Sequence, residues 1–149
     1  MIFQKSIATV CGIGYMGRGA GTAASVVCCT VILLIPGAHN LWWQLTAIIF
    51  VLIAGIWSAG AVESIWGHDS NKIVIDEVAG MMVTLLFIPA DIKYAAAGFL
   101  LFRFFDIAKP LWIKKAEQLP AGWGVMADDL LAGLYAQLIL RIIIAAKLF

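Results

Sequence analysis

Charge is scarce in this chain, and most of its carboxylates gather in two stretches. Residues 63–77 hold Glu63, Asp69, Asp76 and Glu77, and residues 101–129 hold Arg103, Asp106, Lys109, Asp128 and Asp129. Long apolar runs flank both stretches. A charge beside hydrocarbon costs roughly 2.5–3.5 kcal/mol at a helix centre on insertion scales, so charge retained there is expected to do chemistry. Like carboxylates at low dielectric repel, and a divalent cation relieves that repulsion. Hard cations such as Mg2+ take carboxylate oxygens and complete their shell with water and substrate phosphate. The pairs Asp76-Glu77 and Asp128-Asp129 are therefore expected to hold Mg2+. A single acid at a helix start is explained by the macrodipole alone, but two pairs opening two helices on one face call for more.

Arg103, Asp106 and Lys109 are spaced i, i+3, i+6, along one face of a helix ending at Pro110. They form either an intrahelical salt-bridge row or a catalytic row. In the second case Asp106 does metal or acid–base work, and Arg103 and Lys109 bind phosphate oxygens and stabilise transition-state charge. Glu63, at the end of an apolar run, is a ligand, a base or an interfacial carboxylate. Asp69 sits in the polar loop GHDSNK, where a turn residue is the plain account. His39 and His68 offer no nucleophile near the basic cluster, and no HExxH or GxSxG pattern occurs. Metal-assisted attack of water on a phosphomonoester fits these residues best, with an aspartyl-phosphate intermediate still open.

The elements that must position these groups are apolar. The 149 residues are 63% hydrophobic and 13% charged, against about 45–50% and about 25% in soluble domains. An integral membrane protein is expected, built as one all-α domain over residues 1–149. Its expected form is a polytopic helical bundle of about five hydrophobic helices, some short. The net charge of +1 gives no support for a nucleic-acid partner. Cys11, Cys28 and Cys29 have no metal or disulfide spacing and read as small buried apolar residues.

Residues 1–21 form a Gly-rich lead-in, GIGYMGRGAGT at its end. It is either a flexible entry to a helix capped by Thr22, or a loop whose backbone N–H groups and Arg18 approach a phosphate. Five apolar segments follow over 22–149: Thr22 to Ile35, Leu41 to about Val62, Val78 to Ile88, Tyr94 to about Phe105, and Leu130 to Phe149. If all cross, residues 1–21, 63–77 and 106–129 share one face. That face also collects Lys5, Arg18, Lys72, Lys109, Lys114 and Lys115, while Lys93 and Lys147 lie opposite. Positive charge marks the cytoplasmic side, so the acidic groups are expected to face the cytoplasm.

Three stretches carry a resemblance. IVIDEVAGMMV (73–83), FRFFDIAKPLWI (102–113) and GWGVMADDLLAGLYA (122–136) resemble, in order, motifs of the phosphatidylglycerophosphatase A family, and residues 12–25 resemble its opening Gly-Thr motif. The resemblance implies a bacterial lipid phosphatase of the inner membrane. Such an enzyme is Mg2+-dependent, makes phosphatidylglycerol from phosphatidylglycerophosphate in phospholipid biosynthesis, and has its site towards the cytoplasm. Its implied partners are the phospholipid substrate and the bilayer. It implies roles for Glu63, Asp76, Glu77, Arg103, Asp106, Lys109, Asp128 and Asp129, and for Asp69 as a further metal ligand. The family's usual Asp-Pro is here Asp69-Ser70. Two other classes compete: a small transporter with a carboxylate-lined ion site, which calls for charges in mid-span, and a non-catalytic membrane subunit whose charges dock a partner.

Overall fold

The computed structural model describes residues 1–38, 40–68 and 70–148. Asp69 and His39 lie outside the described residues. Those residues form seven α-helices and no strand: α1 (Ile2–Ala8), α2 (Ala20–Leu34), α3 (Leu41–Trp66), α4 (Ile75–Thr84), α5 (Ile92–Ala108), α6 (Ile113–Ala116) and α7 (Gly122–Ala145), with a 3-10 turn at Ile13–Met16. The all-helical expectation holds. Among the described residues only α3 is both long and apolar enough to cross a membrane by itself. The 24-residue α7 carries Asp128, Asp129 and Arg141, and α4, at 10 residues, is only about 15 Å long.

Several boundaries differ from expectation, with consequences for the site. The lead-in is partly helical. Thr22 is not a cap: α2 starts at Ala20, behind Gly19 at φ 91°, with no side-chain cap. α3 runs on to Trp66, so Glu63 lies within its last turn. α7 begins at Gly122 rather than at Leu130, so Asp128 and Asp129 stand in its second turn and not at its opening. The macrodipole falls off within the first turn, so it accounts for Asp76 and Glu77 but not for the second pair. α5 stops at Ala108, and Lys109 turns into the left-handed region at φ 41°; the helical row of three is therefore a pair, Arg103 with Asp106. Cys28 and Cys29 are buried as expected, whereas Cys11 is exposed in the turn after α1.

α7 is the hub, packing most extensively on α4, then on α5 and α3. The helices alternate in direction. Asp129 meets Asp76, Gly133 meets Gly80, and the Gln137 amide donates to the Leu86 carbonyl at 2.6 Å, so α7 runs parallel to α4. α5 runs against both: Gly98 abuts Leu85 and Leu140, while Phe102 abuts Gly80. α3 also runs against them, with Gln44 near its start accepting from the Phe87 N–H at 3.4 Å and Gly55 packed on Met126. α2 begins beside Glu77 and ends near Ile92 at the start of α5.

Two larger apolar clusters and a small one, Ala20 and Ala24 against Val74, fill the interior. Met81, Leu85, Phe102, Ala132 and Leu140 join α4, α5 and α7, and Ala59, Val62, Ile75, Ala79 and Met126 join α3, α4 and α7. The outward faces are apolar too: Val27, Phe50, Ile53, Leu100, Phe104, Leu138 and Ile142 are all exposed. A band of that extent is a membrane or partner surface rather than an aqueous one.

Candidate metal and phosphate site

At one end of the bundle the start of α2, the end of α3, the start of α4, the end of α5 and the first half of α7 converge. Small residues make that convergence possible. A Cβ on Gly133 would collide with the Gly80 carbonyl, and one on Gly80 with the Asp129 carbonyl and the Phe102 ring. α4 and α7 thus touch backbone to backbone, one turn beyond Asp76 and Asp129. Gly21 of α2 plays the same part on the other side, where any Cβ would meet the Glu77 carboxylate.

The result is a cluster of three carboxylates. Asp76, Glu77 and Asp129 each offer an oxygen, all within 4.8 Å of one another. Asp76 Oδ1, Glu77 Oε2 and Asp129 Oδ2 are buried and have no hydrogen-bond partner. Orphaned buried acceptors are costly, and three anionic ones side by side more so. A hard cation fits this donor set: it accepts oxygen ligands, needs no fixed geometry from histidine or thiolate, and cancels the repulsion.

Cationic side chains border the cluster. Arg103 Nη1 is 2.5 Å from Asp106 Oδ2 and 4.0 Å from Glu77 Oε1. Lys109 Nζ is 2.7 Å from Asp128 Oδ2 and 3.4 Å from Glu117 Oε2. The other oxygen of Asp128, Oδ1, accepts from the Asp129 N–H at 3.0 Å. Asp106 and Asp128 both act electrostatically on Asp129. The structure therefore sorts the expected residues. Asp76, Glu77 and Asp129 form the cluster, Arg103 and Asp106 flank it, and Asp128 is turned towards Lys109. Glu63 is engaged elsewhere, its Oε1 2.5 Å from His68 Nδ1.

A cleft of about 580 Å3 opens from the cluster, with Glu77 and Arg103 in its wall together with Arg18, Asn71 and Lys72. Lys72 and Asn71 were not expected as site residues. The signal was available, since Lys72 falls on the shared face by the count of crossings, but nothing in its spacing tied it to Arg18.

The family model described as Phosphatidylglycerophosphatase A matches residues 6–144 of this chain. A Bacteroides thetaiotaomicron protein named "Putative phosphatidylinositol-3-phosphatase" is 38% identical over 143 residues, covering 91% of this chain and 90% of that protein. The Haemophilus influenzae phosphatidylglycerophosphatase A is 35% identical over 129 residues, 85% of this chain and 75% of its own length. The Escherichia coli phosphatidylglycerophosphatase A is 36% identical over 106 residues, 68% of this chain and 62% of its own. No solved structure matches.

Proposed function

Since this chain belongs to the phosphatidylglycerophosphatase A family, and is accordingly a lipid phosphatase, we propose that it converts phosphatidylglycerophosphate to phosphatidylglycerol and phosphate with Mg2+ held by Asp76, Glu77 and Asp129. One observation carries the metal assignment: three carboxylates, each with a buried oxygen that has no hydrogen-bond partner, bring oxygens within 4.8 Å of one another. When bound, the ion supplies positive charge against the phosphoryl oxygens and neutralises carboxylates that otherwise repel.

The chain's own groups do the rest. Arg103, pinned by Asp106, keeps N–H donors for the phosphoryl oxygens and for the charge they gain in the transition state. Asp106, paired with Arg103 beside the cluster, takes the proton of the attacking water. The water oxygen bonds to phosphorus as the bond to the glycerol oxygen breaks, and the departing glycerol oxygen takes a proton from solvent to leave as a hydroxyl. Lys109 and Asp128 position the cluster: their ion pair ties the end of α5 to α7, and Asp128 steadies the Asp129 backbone. Asp69 is proposed as a further ligand on the family resemblance alone. Glu63, paired with His68, serves at the rim.

We further propose that α2, α3, α4, α5 and α7 all pass through a bacterial inner membrane. Their alternating directions and apolar outer faces support this, with α4 extended by the segment to Ile88. Gln44 and Gln137 then satisfy backbone groups that lipid cannot. The site end carries Lys5, Arg18, Lys72, Lys114 and Lys115, and this positive charge supports a cytoplasmic orientation for it. Charges gathered at one end, together with family membership, weigh against a transporter or a docking subunit.

The Bacteroides relative supports a second substrate, phosphatidylinositol 3-phosphate. In both headgroups a phosphomonoester stands three carbons from the phosphodiester that joins it to the lipid. Phosphate release by purified protein in detergent tests these assignments. Release from phosphatidylglycerophosphate that EDTA abolishes and Mg2+ restores is expected. Release undiminished by thorough chelation overturns the metal role, and faster release from phosphatidylinositol 3-phosphate reassigns the substrate.

A further inference from the structure

The cleft beside the carboxylate cluster contains cations that the chemistry above leaves unused. Arg103 and Lys109 are each neutralised by a carboxylate. Arg18 and Lys72, exposed in the same cleft as Glu77 and Arg103, form no ion pair among the described residues. Uncompensated positive charge in a cleft lined by the catalytic arginine attracts a second anion.

The cleft is built rather than incidental. Its two walls, the Gly-rich loop and the turn-containing segment before α4, are locked together. Gly14 lies so close to the Lys72 carbonyl that no Cβ would fit between them. The Val74 N–H donates to the Ala8 carbonyl at 2.9 Å. The Thr9 hydroxyl donates to the Lys5 carbonyl at 2.8 Å and accepts from the Gly12 N–H at 3.0 Å, bracing the turn. Lys72 itself is held over the Trp66 ring at 5.4 Å, a cation–π contact, and Tyr15 packs edge-on against the same ring.

We infer that Arg18 and Lys72 bind the substrate's bridging phosphodiester, while Arg103 and the carboxylate cluster take the terminal phosphomonoester. Trp66 is a positioning residue for Lys72. This inference rests on the proposed function, which supplies a substrate with two phosphates. It goes further in assigning the second phosphate and in making its recognition the basis of substrate choice. The diester remains on the lipid product and departs with it, whereas inorganic phosphate carries only what was bound at the cluster. The two products therefore report on the two halves of the site separately.

Product inhibition of phosphatidylglycerophosphate hydrolysis reads out both halves. Wild-type turnover of this substrate is the control for the proposed function; its absence would sink that reading rather than this one. In Arg18→Ala and Lys72→Ala, the KM for phosphatidylglycerophosphate and the inhibition constant of phosphatidylglycerol should each rise about tenfold, the size expected for one lost charge-assisted contact. The inhibition constant of inorganic phosphate should move less than about threefold, as should kcat, the pattern of a binding contact kept equally in ground and transition states. Lys72→Arg should restore most of the affinity for the lipid. An unchanged KM in both alanine variants, or a rise in the phosphate constant equal to that for the lipid product, overturns the assignment.

Discussion

Gly133 of α7 sits against the carbonyl of Gly80 of α4 with no room for a side chain between them. That contact sets how close Asp76 and Asp129 come, because each acid stands one turn before its glycine on parallel helices. The carboxylate cluster is in this sense a consequence of helix packing. Small residues let the two backbones approach, and the acids a turn away are carried into one another's field.

Adding a methyl there should separate the two. Gly133→Ala forces the helices apart against a backbone atom that cannot swing aside, at about 1–3 kcal/mol of overpacking. The expected outcome is a lower melting temperature in detergent and a loss of phosphatase activity of at least about tenfold, larger than the stability loss alone explains. Normal activity per folded molecule would show that the close approach is not needed by the site.

The pair Lys109–Asp128 should behave as a structural clamp. Asp128 is nearly buried and Lys109 mostly so, and removing one partner takes the nearest opposite charge from a largely buried group, at up to about 3 kcal/mol given the partial exposure of Lys109 and its second contact with Glu117. Lys109→Ala and Asp128→Ala should each lower stability, and the double variant should cost less than their sum. Chemical denaturation of the four proteins in a double-mutant cycle checks this; strict additivity would show that the pair is not coupled.

Much of the site's membership was legible from residue order. Counting apolar segments placed the acidic stretches at one end, and the helices do alternate so that Glu77, Arg103 and Asp129 meet there. The division of labour among them was not legible. α7 starts in GWGVMA, a stretch without a capping side chain, so nothing in the pattern marked a helix running well ahead of the acids. Lys109 leaves the helix because Pro110 disfavours helical backbone in the residue before it, and it therefore pairs across to Asp128. The partition between Asp129 in the cluster and Asp128 on Lys109 depends on which way each faces from α7, and that is set by contacts between segments far apart in the chain.

Gln137 offers a test of the half of the bundle away from the carboxylate cluster. Its amide donates to the Leu86 carbonyl where α4 has already ended. Gln137→Leu leaves that carbonyl without a partner, at about 1–3 kcal/mol. Lower thermal stability with kcat per folded molecule retained is the expected result, measured by thermal unfolding beside the phosphate assay. A large fall in kcat at unchanged stability would instead place Gln137 in the chemistry.

The most direct test is cation binding itself, with Mn2+ as a paramagnetic stand-in for Mg2+ followed by electron paramagnetic resonance on the purified protein. Saturable binding is expected in the parent and in Glu63→Gln, and its loss in Asp76→Asn and Asp129→Asn, both still folded. Equal Mn2+ binding in all four proteins would contradict a cation site built from Asp76, Glu77 and Asp129.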